Sequence, residues 1–210
     1  RANTLRLALA GRFGPDVASP EVREALDLCV SCKGCRRDCP TGVDMARMKI
    51  EFRHQWRARH GLPLRDRLIA SLPRWAPWAS RVAWLANLRD TLPGAAWLSE
   101  RVAGLSAKRT LPRWRRDTFL GSAAAGDDER ADVVLFVDTF TDRFEPENAH
   151  AARAVLRAAG HRVAVARAAS ADAEPSRPLC CGRTYLGAGM VDEAKREARR
   201  VVEALAPHVA

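Results

Sequence analysis

The sequence predicts a mixed α and α/β chain, with helices first and then a smaller part built on a parallel βαβ unit. Three observations carry that reading. Cys29, Cys32, Cys35 and Cys39 lie in a short loop between two helical stretches. Residues 61–120 are punctuated by Pro63, Pro73, Pro77, Pro93 and Pro112, which restricts them to short helical segments. From Val133 the pattern switches to Val-Val-Leu-Phe-Val, the continuous apolar run of a strand covered on both faces.

Taken in order, residues 2–11 read as a helix that stops near Gly11 and Gly14. Ser19-Pro20-Glu21 is a helix start, with serine as N-cap, proline at the first position and an acid in the first turn. That helix carries Val22, Ala25, Leu26 and Leu28 into Cys29, and a loop over 29–42 follows. A second helix runs from about Val43 to about His60, with Met45, Met48, Ile50 and Phe52 as its apolar positions. Beyond it, Trp75, Trp78, Trp84, Trp97 and Trp114 lie among arginines. Two readings stand: an amphipathic surface facing a membrane or quinone, or rings that pack short helices onto the cysteine-bearing part. Tryptophan is highly buried on average, which favours packing.

Residues 121–131 are a linker by composition. The strand from Val133 to Val137 leads through a loop to Pro146, then to a helix through Ala149, Ala152, Val155 and Leu156 to Gly160, then to a strand at Arg162–Val165. Strand, helix, glycine, strand predicts a parallel pair. A loop over 167–179 reaches Leu179-Cys180-Cys181-Gly182, and a helix from about Met190 to Leu205 follows. The organisation expected is 1–60, a cysteine-bearing helical domain; 61–120, a Pro/Trp/Arg-rich connector; 121–131, a linker; and 132–210, a partial α/β domain. Two strands are few for a sheet and the chain starts mid-pattern at Arg1, so it reads as a piece of a longer protein.

With 210 residues, 47% hydrophobic and 29% charged, the chain has material for one or two globular domains. No apolar run approaches the ~18 residues of a membrane span. The formal charge of +10 is carried largely by arginine. Zinc-finger, helix-turn-helix and RNA-recognition signatures are absent, so no nucleic-acid partner is expected. The six cysteines fall in two tight clusters, which points to ligands rather than crosslinks and to a reducing cytoplasm. The tryptophan-rich region adds the alternative of a peripheral position at the inner membrane.

The spacing C-x2-C-x2-C-x3-C-P over residues 29–40 is that of bacterial [4Fe-4S] sites, in which thiolates two residues apart reach different corners of one cube. The cysteine before the proline typically serves a second cube. Zinc is the alternative ligand, but it usually takes two separated cysteine pairs or cysteine with histidine. Lys33, Arg36 and Arg37 flank the run, either favouring a more reduced centre, docking an acidic carrier, or lying solvated. Cys180 and Cys181 could be metal ligands, with help from His150, His161 or Glu145, or a redox pair, or remnants of a site. Asp138, at a strand end, is the best polar candidate for ligand binding or else a cap. His54, His60 and His208 read as surface residues, and no acid–base catalytic site is evident.

Helix, cysteine-rich loop, proline, helix resembles the α-helical ferredoxin-like domain of fumarate-reductase-type subunits. Leu179-Cys180-Cys181-Gly182 resembles the CCG domain of heterodisulfide reductase-type and anaerobic glycerol-3-phosphate dehydrogenase-type subunits. Together with Asn3-Thr4-Leu5, Cys39-Pro40-Thr41-Gly42-Val43-Asp44, Phe136-Val137-Asp138-Thr139-Phe140 and Phe144-Glu145-Pro146-Glu147-Asn148, these motifs resemble the C-terminal part of bacterial FAD-linked D-2-hydroxyacid dehydrogenases of the D-lactate and D-2-hydroxyglutarate type. The resemblance implies an α-helical ferredoxin-like domain followed by a truncated CCG-type domain, with an FAD-binding domain upstream. It implies electron relay from FAD through [4Fe-4S] clusters to a carrier protein or quinone. It implies two clusters: Cys29, Cys32 and Cys35 on one, completed by an upstream cysteine, and Cys39 on the other. Thr139 stands where the CCG pattern has a cysteine, which leaves that site incomplete. The alternative is a stand-alone iron–sulfur subunit partnering a separate flavoprotein.

Overall fold

The computed structural model describes residues 1–210 except 15, 123–125, 127, 129, 176 and 210, so the expected linker at 121–131 lies partly outside the described residues. Among the described residues the chain is mostly helical, with one two-stranded parallel sheet.

The N-terminal elements are α1 (Ala2–Leu9), α2 (Pro20–Asp27), α3 (Gly34–Asp38) and α4 (Met45–His60). The Ser19 hydroxyl accepts from the Val22 amide and Pro20 sits in the first turn, as the sequence predicted. Asp44 caps α4 through the Arg47 amide at 3.0 Å. Leu5, Ala8, Val22, Leu26, Met45 and Phe52 form one apolar core. The face of α4 differs from the expected one, since Met48 is exposed and Lys49 is buried in its place. Met45, Lys49 and Phe52 stand at i, i+4 and i+7, so they share the core-facing stripe.

The connector forms α5 (Leu64–Ala70), α6 (Leu72–Arg81), α7 (Ala83–Asn87) and α8 (Ala95–Ala103). Its tryptophans divide. Trp114 is buried, packs on Trp75 at 5.2 Å and on Phe144 at 4.5 Å, and joins a core with Ala76 and Ala83. Trp78, Trp84 and Trp97 stay exposed. The Asn87 side-chain amide clasps the Trp114 backbone, accepting from its N–H at 2.9 Å and donating to its carbonyl at 3.0 Å. Arg89, nearly buried, donates to Ser99 Oγ and to the carbonyls of Leu105, Ser106 and Arg109, which fixes α8 and the chain after it.

The α/β part contains β1 (Val133–Leu135), α9 (Thr139–Phe144), α10 (Pro146–Ala158), β2 (Val163–Val165), α11 (Arg183–Gly187) and α12 (Val191–Leu205). The strands pair in parallel, Val133 opposite Val163 and Leu135 opposite Val165, as the βαβ pattern predicted. Both strands are shorter than expected, and the stretch read as a loop before Pro146 contains α9. Phe119, Val137, Ala149 and Val165 fill the space under α10. Arg177, Glu197, Arg200 and Asp172 form an ion-pair cluster that ties the 167–179 loop to α12.

The two parts meet along α4. Arg53 donates to the Gly187 carbonyl at 2.5 Å, and His54 Nδ1 lies 3.0 Å from the Gly189 carbonyl. Gly189 has φ +75°, and a β-carbon there would sit 2.6 Å from the backbone of Arg53 and His54. Only glycine fits both the left-handed backbone and the close approach. The Gly189→Ala substitution is expected to cost about 1–3 kcal/mol by overpacking, read by urea denaturation.

Asp128 anchors the strand pair. Its carboxylate accepts from the Val163 amide at 2.8 Å and pairs with Arg157 and Arg153. The Arg157 hydrogen bond, then the Val163 amide, hold its carboxyl well below the usual carboxylate range. A depressed carboxyl stabilises the fold above the unfolded carboxylate pKa near ~4, and that contribution fades as pH falls. Asp128→Asn is therefore expected to melt below the wild type at neutral pH, with the gap closing in acid, as read by thermal melts across pH.

Candidate iron–sulfur and CCG sites

The loop between α2 and α4 presents the four cysteines of the first motif. None of the chain's six cysteines is in a disulfide. Cys29, Cys35 and Cys39 are partly exposed and Cys32 is exposed. Ser31 (φ 57°) and Lys33 (φ 62°), on either side of Cys32, both adopt left-handed backbone. Non-glycine residues pay about 1–3 kcal/mol each for sparsely populated backbone, and such strain clusters where a loop is shaped for a ligand.

Backbone donors are directed at the sulfurs. The Met45 amide, one of the four orphan donors at the start of α4, donates to Cys35 Sγ at 3.4 Å. Cys39 Sγ lies 3.1 Å from the Thr41 hydroxyl. That hydroxyl, then the amides of Val43, Thr41 and Gly42, hold the Cys39 thiol below its usual range. Lys49 donates to the Cys29 carbonyl at 2.6 Å, and burial pushes its ammonium below the usual lysine range. The sequence analysis did not single out Lys49, although its i+4 spacing from Met45 places it on the buried stripe. Lys33 and Arg36 both approach the Asp44 carboxylate at 3.8 Å, so the cap of α4 balances part of the loop's positive charge.

These features fit the chemistry of a thiolate-held iron–sulfur centre: soft sulfur donors free of disulfides, and N–H groups aimed at sulfur. Among the described residues, no three Cys, His, Asp or Glu side chains are gathered at the spacing of a closed metal site. A groove of about 1000 Å³ runs beside the loop, its rim carrying Lys33, Arg36, Arg47 and Arg183 and its floor Leu5, Phe52 and Leu186.

The second motif lies where the chain enters α11. Gly182 has φ +75° and stands against α12, where a β-carbon would be 2.9 Å from the Ala194 carbonyl. Cys180 is buried and Cys181 exposed. Burial, foremost, pushes the Cys180 thiol up. Thr139 is also buried and stands beside the Cys180 thiol, and its hydroxyl makes no full hydrogen bond among the described residues. The structure therefore brings Thr139 to the CCG motif, the position where the resemblance had a cysteine.

The other candidates for this site are engaged elsewhere. His150 meets Phe119 edge-on at 4.9 Å, His161 stands near Asp132, and Glu145 accepts from the Asn148 side chain. None of the three joins Cys180 and Cys181 as helper ligands in a metal-holding group among the described residues. Asp138 is a cap, accepting from the Phe140 and Thr141 amides and the Thr141 hydroxyl. His54 is not merely a surface residue, because it binds the Gly189 carbonyl. His60 stacks on Trp56 at 3.9 Å.

The contrast between the vicinal cysteines sets a direct expectation. In the folded protein a maleimide labels Cys181 rapidly and Cys180 only after urea unfolding, and mass spectrometry of the labelled peptides checks the order. Equal labelling of both under native conditions contradicts the buried placement of Cys180.

No protein-family model matches the chain, and no solved structure matches it. Curated relatives do. The chain is 33% identical over 87 residues to D-2-hydroxyglutarate dehydrogenase of Escherichia coli K12, covering 41% of this chain and 8% of that protein. It is 29% identical over 178 residues to D-2-hydroxyglutarate dehydrogenase of Pseudomonas putida KT2440, covering 77% of this chain and 17% of that protein. A further match, 28% identical over 144 residues, is to the protein of the same name from Pantoea ananatis, covering 63% of this chain and 14% of the relative. The chain thus spans less than a fifth of the length of the curated relatives it matches, and it is similar over that span to D-2-hydroxyglutarate dehydrogenases, which are oxidoreductases.

Proposed function

We propose that this chain is the electron-transfer portion of a flavin-dependent D-2-hydroxyacid dehydrogenase. The observation that carries the reading is the C-x2-C-x2-C-x3-C-P run held on a strained loop, with amide donors at Cys35 and Cys39, in a chain similar to D-2-hydroxyglutarate dehydrogenases. Cys29, Cys32 and Cys35 would hold one [4Fe-4S] centre, its fourth ligand coming from outside this chain, and Cys39 would contribute to a second. Such centres, when bound, supply one-electron transfer between a two-electron flavin and an acceptor. FAD would be held by another part of the same polypeptide or complex, and the acceptor would be a carrier protein or quinone.

The chain's own residues have defined parts in this reading. The Met45 amide stabilises negative charge on Cys35 Sγ, and Thr41 with its neighbouring amides does so on Cys39 Sγ. Lys49 fixes the Cys29 backbone and places a buried positive charge beside the loop. Lys33 and Arg36, partly balanced by Asp44, put a cationic rim on the adjoining groove, suited to an acidic partner. The CCG segment, with Thr139 beside Cys180, acts as a structural arm docked on α4 through Arg53 and His54.

Anaerobic reconstitution of the complete polypeptide with iron and sulfide, followed by absorption and EPR spectroscopy, tests the assignment. A reducible iron centre is expected, and Cys32→Ser is expected to lose most of one centre's signal. Bound zinc with no reducible iron overturns the reading. Lys49→Met is expected to shift one centre's reduction potential downward, because removing a buried positive charge disfavours the added electron. Potentiometric titration followed by EPR reads that shift.

A further inference from the structure

We propose that the exposed tryptophans and aliphatic side chains of α6, α7 and α8 dock on an anionic phospholipid surface. This goes beyond electron relay and stands whether or not the cysteine loop holds iron.

These residues are apolar and, among the described residues, are left uncovered. Val82 joins α6 to α7, its amide bonding back to Trp78 and its carbonyl accepting from Leu85 and Ala86, so the two helices run nearly continuously. Trp78, Val82 and Leu85 then fall at i, i+4 and i+7 on one side. They are 67%, 45% and 53% exposed, while the opposite side buries Ala76, Ser80 and Ala83. Trp84 is also exposed, on another side of α7 from Leu85. On α8, Leu98 and Val102 share a face at i, i+4 and Trp97 stands next to Leu98, all at more than half exposure, and the helix has no buried residue among those described. Among the described residues the rings of Trp78, Trp84 and Trp97 take no part in the connector's core, which Trp75 and Trp114 build with Ala76 and Ala83.

The charge on the connector selects the occupant. Residues 61–120 carry eleven Arg and Lys against four Asp and Glu, and so hold seven of the chain's ten net positive charges. Arg81 stacks over Trp78 at 4.6 Å and Arg101 over Trp97 at 5.9 Å. Among the described residues neither arginine has a carboxylate partner. Tryptophan sits at the headgroup boundary, with aliphatic side chains below it and arginine at the phosphates. A second copy would oppose like charge to like charge. A nucleic acid would use the arginines and rings but leave Val82, Leu85, Leu98 and Val102 in water. No helix among the described residues is long and apolar enough to cross a membrane, so the contact is a peripheral one.

The complete polypeptide, sedimented with vesicles of phosphatidylcholine and phosphatidylglycerol, tests this against phosphatidylcholine alone. Expected are binding to the anionic vesicles only, a blue shift of tryptophan emission, and weakening by salt. Each of Arg81→Gln and Arg101→Gln is expected to weaken binding about fivefold, the effect of one surface charge. A variant combining Trp78→Ser, Trp84→Ser and Trp97→Ser is expected to keep its melting temperature and lose vesicle binding. The proposal is overturned by absence of binding to anionic vesicles, or by undiminished binding in the triple variant. It is also overturned if the same residues retain duplex DNA or an acidic protein while ignoring vesicles.

Discussion

Helix α4 is the wall on which both cysteine motifs are built. At its start, the Met45 amide reaches Cys35 Sγ, and one turn on, Lys49 holds the Cys29 carbonyl. Further along, Arg53 and His54 take the carbonyls of Gly187 and Gly189, just past the CCG motif. One rigid rod therefore sets the position of two loops far apart in sequence. Loops lack a ladder of their own, so their geometry is inherited from whatever supplies their backbone with partners.

The close approach at Gly189 explains how this wall can serve both sides. With no β-carbon, the 187–190 turn lies directly on the α4 backbone, and polar side chains of α4 satisfy its carbonyls. Thr184 adds a bond to the Ala70 carbonyl, so α5 is drawn into the same junction. The polar groups of this joint, exposed to part-buried, find partners across it, which makes the joint specific as well as close. The CCG segment with Thr139 in it thus reads as an arm that keeps its docking geometry, whatever its cysteines bind.

The connector shows how one composition serves two ends. Trp75 and Trp114 are held inward by Asn87, Phe144 and the small residues Ala76 and Ala83. Trp78, Trp84 and Trp97 point the same chemistry outward. Trp75 and Trp78 stand three residues apart on α6 and so lie near each other round the helix. What separates them is a partner, since Trp75 meets the Trp114 ring and the Trp78 ring, among the described residues, meets only Arg81. Packing and interface were offered by the sequence as rivals, and the structure packs Trp75 and Trp114 against one another while leaving Trp78, Trp84 and Trp97 exposed.

Local signals were legible in the residues alone. The Ser19-Pro20 start of α2, the parallel pairing of Val133 with Val163 and the long α10 and α12 all follow from short-range pattern, capping and chain entropy. The iron–sulfur reading also rests on the spacing of Cys29, Cys32, Cys35 and Cys39, which the sequence states outright. Other features depended on partners distant in the chain. Lys49 turned inward because the Cys29 carbonyl awaited it, Asp138 became a cap because α9 starts after it, and His150 and His161 went to Phe119 and Asp132 instead of to the CCG motif. Residue type and spacing determine which chemistry is on offer; only tertiary packing decides which polar group meets which, because the cost of an unmet buried partner is settled across the whole fold.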